Sequence, residues 1–282
     1  METGSCEWNE KIARLFDARD SDALSEALYA LIHAVVPLES FIIFHYHLQE
    51  IPEIIYQKTD HRHRRNNLEK YLDGAYLLDP FYQAFFAGQT SQIVTLKDIA
   101  PDHFRRSEYY RTYYKSSGLK DEVNIYLRLS EQSSLVLALG RDQKGRHFSK
   151  YELKLLADIF PILNAASLRQ WADRTGGHSE EDKGNLRFLR GLENFGTSCL
   201  SAKESEVLHL LLMGHSAKST AARMAISPGT VKIHRNNIYA KLDINSQTEL
   251  FSLFIAALAH MQGDGSEDPL VAFHKAHTQS SL

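Results

Sequence analysis

Residues 200–249 read LSAKESEVLHLLLMGHSAKSTAARMAISPGTVKIHRNNIYAKLDINSQTE, and their punctuation is that of helices. Ser201-Ala-Lys-Glu204 is a capping box: the serine hydroxyl accepts from the backbone three residues on, and the glutamate reaches back. Val207, Leu208, Leu211 and Leu212 share one face of the helix that follows, and Gly214 supplies its left-handed stop. Ser216 caps a second, short helix over Ala217–Met224, and Ala225-Ile226 makes a tight corner. Ser227-Pro228 opens a third helix, with proline at the first helical position, where its missing N–H costs nothing. That helix, PGTVKIHRNNIYAKLD, runs to about Leu242. Ser246-Gln-Thr-Glu249 is a second capping box and opens a fourth helix over Gln247–Ala259.

Two helices joined by a tight turn, the second longer and basic, form a helix-turn-helix, whose second helix enters the DNA major groove. Helical spacing sends Val231, Ile238 and Leu242 to the core. It leaves Lys232 and Asn236 on another face, with Ile233 beside them. Lysine donates to guanine, asparagine pairs with adenine, and isoleucine touches a thymine methyl. Lys232, Ile233 and Asn236 are therefore the candidate base readers. Ser227 and Thr230 at the helix start, with Arg235 and Lys241 at its flanks, suit backbone phosphates. A second reading keeps the same helices as a small bundle that serves protein contacts. Capping and amphipathicity alone do not separate the two.

The charge balance is uneven along the chain. The 282 residues carry 32 Lys+Arg and 35 Asp+Glu, for a net charge of -3, which excludes a protein that coats nucleic acid by bulk charge. Between Leu200 and His260 there are six basic and four acidic residues, and over residues 1–174 there are 22 and 24. The modest positive excess sits where a backbone-binding surface is needed. With 43% hydrophobic and 24% charged residues, the composition excludes a disordered or disulfide-stapled chain.

Outward from that segment, residues 1–174 mix strands with flanking helices. Residues 8–36 have helical spacing and end at Pro37. Phe41–His47, Ile54–Gln57, Val123–Leu129 and Leu135–Leu139 read as strands, the last two joined by a tight polar turn. Leu68–Tyr76, Asp79–Phe86 and Phe104–Tyr114 read as helices, with Asp79 as an N-cap before Pro80. Ser149–Trp171 reads as a long helix that Pro161 should kink or break. The fold class is α+β: an N-terminal antiparallel-sheet domain plus a C-terminal all-α domain of four helices. The expected division is a sensor and dimerisation domain over 1–174, a linker over 175–196, a DNA-binding domain over 197–260 and a flexible tail over 261–282. TGGHSEEDKGN at 175–185 is the most linker-like stretch.

Two distant cysteines, Cys6 and Cys199, suit free thiols in a reducing cytosol. The first 22 residues lack a signal pattern and no apolar run reaches membrane-spanning length, so a cytoplasmic protein without a membrane partner is expected. The chain carries no phosphate loop, metal-ligand spacing or nucleophile elbow. No catalysis, cofactor or metal is expected, and the HRHRR run at 61–65 is too isolated to make a metal site.

The stretch Leu200–Leu258 resembles the LuxR/GerE-type helix-turn-helix of bacterial transcription regulators. The matching positions are Leu200-Ser201, Glu204, Glu206-Val207-Leu208, Gly214, Ala222, Ser227, Thr230-Val231-Lys232, His234, Asn237-Ile238, Lys241-Leu242 and Asn245. The resemblance implies a four-helix DNA-binding domain with groove readers at Lys232, Ile233 and Asn236, the last a position where many relatives are basic. It also implies dimer formation through the fourth helix, by Leu250, Leu253, Phe254 and Ala257. The order of elements in residues 1–174 is similar to GAF/PAS-type sensor domains and loosely to acyl-homoserine-lactone receptors. Tyr76, Asp79 and Pro80 echo the receptors, whereas Asn66 and Lys70 stand where those carry tryptophan and tyrosine. Tyr46, Tyr56, Tyr71, Tyr76, Asp79 and Phe81 are the candidates for a small-molecule effector pocket. The expectation is a homodimer that binds an inverted-repeat operator in double-stranded DNA under control of an effector.

Overall fold

The computed structural model describes residues 5–48, 50–59, 68–72, 74–86, 88, 92–171, 190–261 and 265–279. The chain divides into two compact units. One gathers Met1–Asn66, Ala84–Ile99 and Ser117–Ser179; the other gathers Asn67–Gln83, Ala100–Ser116 and Glu180–Leu282. Most of the expected linker, 175–189, lies outside the described residues, as does the HRHRR run.

In the first unit, helices α1 (Cys6–Asp17) and α2 (Ser21–Val35) start on Ser5 and Asp20, whose side chains accept from Trp8 N–H and Ala23 N–H. Strands β1 (Ser40–His47) and β2 (Glu53–Thr59) follow. Helix α3 (Pro80–Phe86) then precedes β3 (Ile93–Thr95) and the single turn α4 (Leu96–Ile99). In the second unit, Ser107 opens the short helix α5 (Glu108–Thr112). The first unit resumes with strands β4 (Leu119–Arg128) and β5 (Ser133–Asp142) and the long helix α6 (Lys150–Trp171).

The five strands form one antiparallel sheet in the order β2-β1-β5-β4-β3. Register aligns the apolar residues. Phe41 and Ile43 of β1 stand opposite Leu139 and Leu137 of β5, which stand opposite Val123 and Ile125 of β4. This face packs with Leu24, Leu28 and Leu31 of α2 and Leu156, Ile159 and Leu163 of α6 into one core. Each buried leucine contributes about 1.5–3 kcal/mol. The alternate positions, Phe44, Tyr46, Asn124, Tyr126 and Val136, are buried on the opposite face.

Three expected elements of the first 174 residues differ, the first being Leu68–Tyr76, which is helical over 68–72 and then a 3-10 turn, Ala75–Leu78. Pro161 does not break α6, which is continuous from Lys150 to Trp171; the proline sits on the exposed side, where its missing N–H leaves no buried carbonyl unpaired. Phe104–Tyr114 is not one helix. A 3-10 turn, Phe104–Arg106, ends at Ser107, whose extended backbone and N-capping hydroxyl restart the chain as α5. The local serine bond to Tyr110 N–H outcompetes a continuous ladder.

A buried ion pair ties the sheet to α6. Arg141 Nη2 lies 2.7 Å from Glu152 Oε1, with both side chains almost fully buried. Arg141 also donates to the Pro37 carbonyl at 2.9 Å. Glu152 Oε2 accepts from the Ser149 N–H and hydroxyl, closing a capping box at the start of α6. Burial pushes the Glu152 carboxyl up, but the Ser149 N–H and Arg141 outweigh it and hold it at about 2.

In the second unit lie α7 (Ala202–Leu212), α8 (Ala217–Arg223), α9 (Pro228–Lys241), α10 (Gln247–His260) and α11 (Pro269–Gln279). Val207, Leu208, Leu211, Ala221, Val231, Ile238, Leu250 and Phe254 are buried. Residues 190–194, placed by sequence in the linker, are helical, and Phe195 packs edge-on against Phe254 at 5.2 Å. The expected flexible tail is a helix over much of its length. Asp268 accepts from the N–H groups of Gly196, Ser198 and Leu270, Pro269 starts α11, and Leu270 is buried. An aspartate cap followed by proline is itself a helix signal.

Candidate nucleic-acid interface

The α8–α9 corner is built by short-range chemistry. Ala225 takes a positive φ of 53°, which lets Ile226 N–H bond back to the Ala221 carbonyl at 3.0 Å. Ser227 then accepts from Thr230 N–H at 3.0 Å, and its hydroxyl lies 2.8 Å from the Thr230 hydroxyl. The start of α9 is thus capped and exposed.

Burial separates the faces of α9 as helical spacing requires. Val231 and Ile238 face the core. Lys232, Ile233, Asn236, Asn237 and Ala240 are exposed. Ile233 is 61% exposed, so a large apolar side chain stands in water between a lysine and an asparagine. The structure brings the three candidate base readers together on one surface and places exposed Ser227 at its leading end. Thr230 is half-buried there. Lys218 and Arg223 of α8 are also exposed.

Lys241, exposed at the end of α9, is already paired within the fold. Its Nζ lies 2.7 Å from Glu204 Oε2, which also accepts from the Ser201 N–H at 2.8 Å. The Lys241 ammonium and the Ser201 N–H, against a small opposing effect of burial, hold the Glu204 carboxyl at about 2. The lysine thus adds an ion pair to the Ser201–Glu204 capping box, with an anion supplied by its own fold. Arg235 is half-buried, and its Nε is buried without a partner among the described residues.

The expected dimer stripe on α10 is core. Leu250, Phe254 and Ala257 are fully buried within their own unit, and Leu253 is half-buried. Phe195 and α11, both outside the expected DNA-binding helices, pack against α10.

Of the effector candidates, Tyr46 and Tyr56 lie on opposite faces of the sheet. Tyr46 is buried on the sheet face opposite α2 and α6, 5.5 Å from the Phe85 ring. Tyr56 pairs with Ile43 and so points to the helix side, where its hydroxyl donates to Glu26 of α2. Burial and then Glu26 push the Tyr56 hydroxyl up. In the second unit, Tyr71, Tyr76, Asp79 and Phe81 do cluster. The Tyr71 hydroxyl donates to Asp79 Oδ2 at 2.7 Å, Phe81 N–H donates to Oδ1 at 3.0 Å, and the Tyr71 and Tyr76 rings lie 6.1 Å apart. Burial raises the Asp79 carboxyl to about 6, against the two hydrogen bonds. Asp79 is therefore both the expected N-cap and a buried acid.

Sequence reasoning missed Asn124. It is buried on the Tyr46 face of β4, and its Oδ1 has no hydrogen-bond partner among the described residues. A polar residue within an apolar strand was the available signal.

Residues 198–254 match the family described as bacterial regulatory proteins, luxR family. The chain is 31% identical over 183 residues to an HTH-type transcriptional regulator in the exeN 3'region of Aeromonas salmonicida, covering 63% of this chain and 93% of that protein. It is 25% identical over 243 residues to the monoamine regulon transcriptional regulator of Klebsiella aerogenes, covering 86% and 94%. Among solved structures it is similar to the VqsR LBD domain of Pseudomonas aeruginosa, with a TM-score of 0.50 and 25% identity over 57% of this chain and 94% of that one.

Proposed function

This chain belongs to the luxR family of bacterial regulatory proteins, and on that premise we propose that it is a dimeric regulator reading an inverted-repeat operator with α9. Residues 1–174 sense a small-molecule effector, and residues 197–260 read DNA from the cytoplasm. What carries the reading is the exposed trio Lys232, Ile233 and Asn236 on a capped helix whose other side is buried. Ser227, Thr230 and Arg235 hold phosphates beside it. The roles assigned are binding roles; none calls for catalysis or a cofactor. Among the described residues, no helix is long and apolar enough to cross a membrane.

Twofold pairing sets half-sites about one helical turn, ~34 Å, apart. The pairing surface lies outside the buried Leu250, Phe254 and Ala257. The likeness to the VqsR LBD domain supports an effector site in the first 174 residues. Asn124, whose carbonyl has no partner among the described residues, is a candidate contact for a donor group on the effector.

The test is selection of duplexes from a random pool with the full chain, followed by titration of the enriched duplex with Lys232→Ala and Asn236→Ala. Each substitution should cost about 1–3 kcal/mol and relax base choice at one position. Unchanged affinity and base choice in both would defeat the groove assignment. The bundle reading, in which these helices bind protein, expects no steep fall of duplex affinity with salt; the regulator reading requires one.

A further inference from the structure

The second unit contains a contact that a DNA reader does not need. The segment Ala100–Ser116, which the chain runs through between α4 and β4, lies on the α7–α8 turn. Asp102 accepts from Ser216 N–H at 3.2 Å and from the Ser216 hydroxyl at 2.5 Å. Gly214, with a φ of 87°, sits so close that an added Cβ would stand 2.6 Å from Ser107 Cβ and 3.4 Å from Pro101 Cγ. His215 between them is half-buried. Helix α5 in the same segment packs against α10.

We propose that Pro101–Ser107 is an autoinhibitory latch on the DNA-binding domain, held by Asp102 on Ser216. The inference rests on α8–α9 being the DNA-reading pair. The first helix of a helix-turn-helix crosses the phosphate backbone. The latch places a carboxylate at the first turn of that helix, α8, where it repels a phosphate chain and consumes the Ser216 donors. The same segment is covalently continuous with the edge of the sheet, through β3 and α4 on one side and β4 on the other. An effector that favours an arrangement with the segment withdrawn would release the reader, to the extent of its differential affinity for the two arrangements.

The experiment compares full-length wild type, Asp102→Ala and Asp102→Asn, with circular dichroism to establish that each is folded. Amide hydrogen exchange over 101–107 and 214–219 reports the latch, and anisotropy with a fluorescent mixed-sequence duplex of about 30 base pairs reports binding. Asp102→Ala should speed exchange in both segments and tighten duplex binding by about 5-fold or more. Asp102→Asn removes the charge but keeps an acceptor, so binding should tighten with less opening. Unchanged exchange in Asp102→Ala overturns the latch, and so does faster exchange without tighter binding. Lys232→Ala in the Asp102→Ala background separates this from the groove assignment. Tightening that Lys232→Ala fails to reverse leaves the latch standing and removes Lys232 from the groove-reading residues. Binding that depends on Lys232 but ignores Asp102 does the opposite.

Discussion

Lys241 Nζ lies 2.7 Å from Glu204 Oε2, and the pair joins the last turn of α9 to the first turn of α7. Each charge sits at the helix end that favours it: the ammonium at a C-terminus, the carboxylate at an N-terminus. The groove helix is thereby held to the helix that opens the domain. Lys241→Ala should lower stability by about 1 kcal/mol, since the lysine is partly exposed. It should leave the slope of duplex affinity against salt unchanged. A slope smaller by about one in a salt titration would return Lys241 to the phosphate-binding set.

The Arg141–Glu152 pair predicts an acid-sensitive first unit. The folded Glu152 carboxyl titrates at about 2, below the ordinary 4.5, so its contribution is complete above pH 4.5 and is lost as pH falls towards 2. Glu152→Gln leaves a buried guanidinium without its counter-charge and should cost about 3–5 kcal/mol at pH 7. Denaturant melts of wild type and variant at pH 7 and pH 3 check both statements. The difference between the two proteins should narrow at pH 3.

Asp79 predicts the reverse pH dependence. Its folded carboxyl titrates at about 6, above the ordinary 3.8, so the folded state holds the proton more tightly than the unfolded chain. Stability from this group is greatest below pH 4 and declines as pH rises through 6. Asp79→Asn keeps an acceptor for Phe81 N–H and a partner for the Tyr71 hydroxyl. It should be at least as stable as wild type at pH 8. A loss of more than about 1 kcal/mol there would show that the ionised carboxylate is required.

Phe254→Ala should act on folding rather than on pairing alone. The ring is fully buried against Phe195, so its removal should cost about 3–5 kcal/mol. Thermal melting followed at several protein concentrations distinguishes the cases. A variant that melts like wild type but dissociates at higher concentration would place Phe254 at a dimer surface after all.

The C-terminal helices were legible because their signals are local. Ser201 with Glu204, Ser216, Ser227 with Pro228 and Ser246 with Glu249 mark the helix starts, and each of those serines accepts the N–H that the spacing required. The exposed Lys232, Ile233 and Asn236 follow from the 3.6-residue period together with buried Val231 and Ile238. The strands of the sheet were legible for the same reason, through short β-branched and aromatic runs. What covers Leu250, Phe254 and Ala257 of α10, what Lys241 pairs with, and the opposite faces of Tyr46 and Tyr56 were not legible. Each depends on what another part of the chain brings up.

The sequence by itself determined the helix-turn-helix, its capped groove helix and the α+β class. Periodicity and capping act within a few residues and do not depend on where the rest of the chain goes. Tertiary structure alone decided that Lys241 answers Glu204, that Phe254 belongs to the core and that Asp102 rests on Ser216. Those partners are 37, 59 and 114 residues apart in sequence, Phe254 being paired with Phe195. A side chain's charge or apolarity says what it can bind, and only the folded chain says which of the possible partners is within reach.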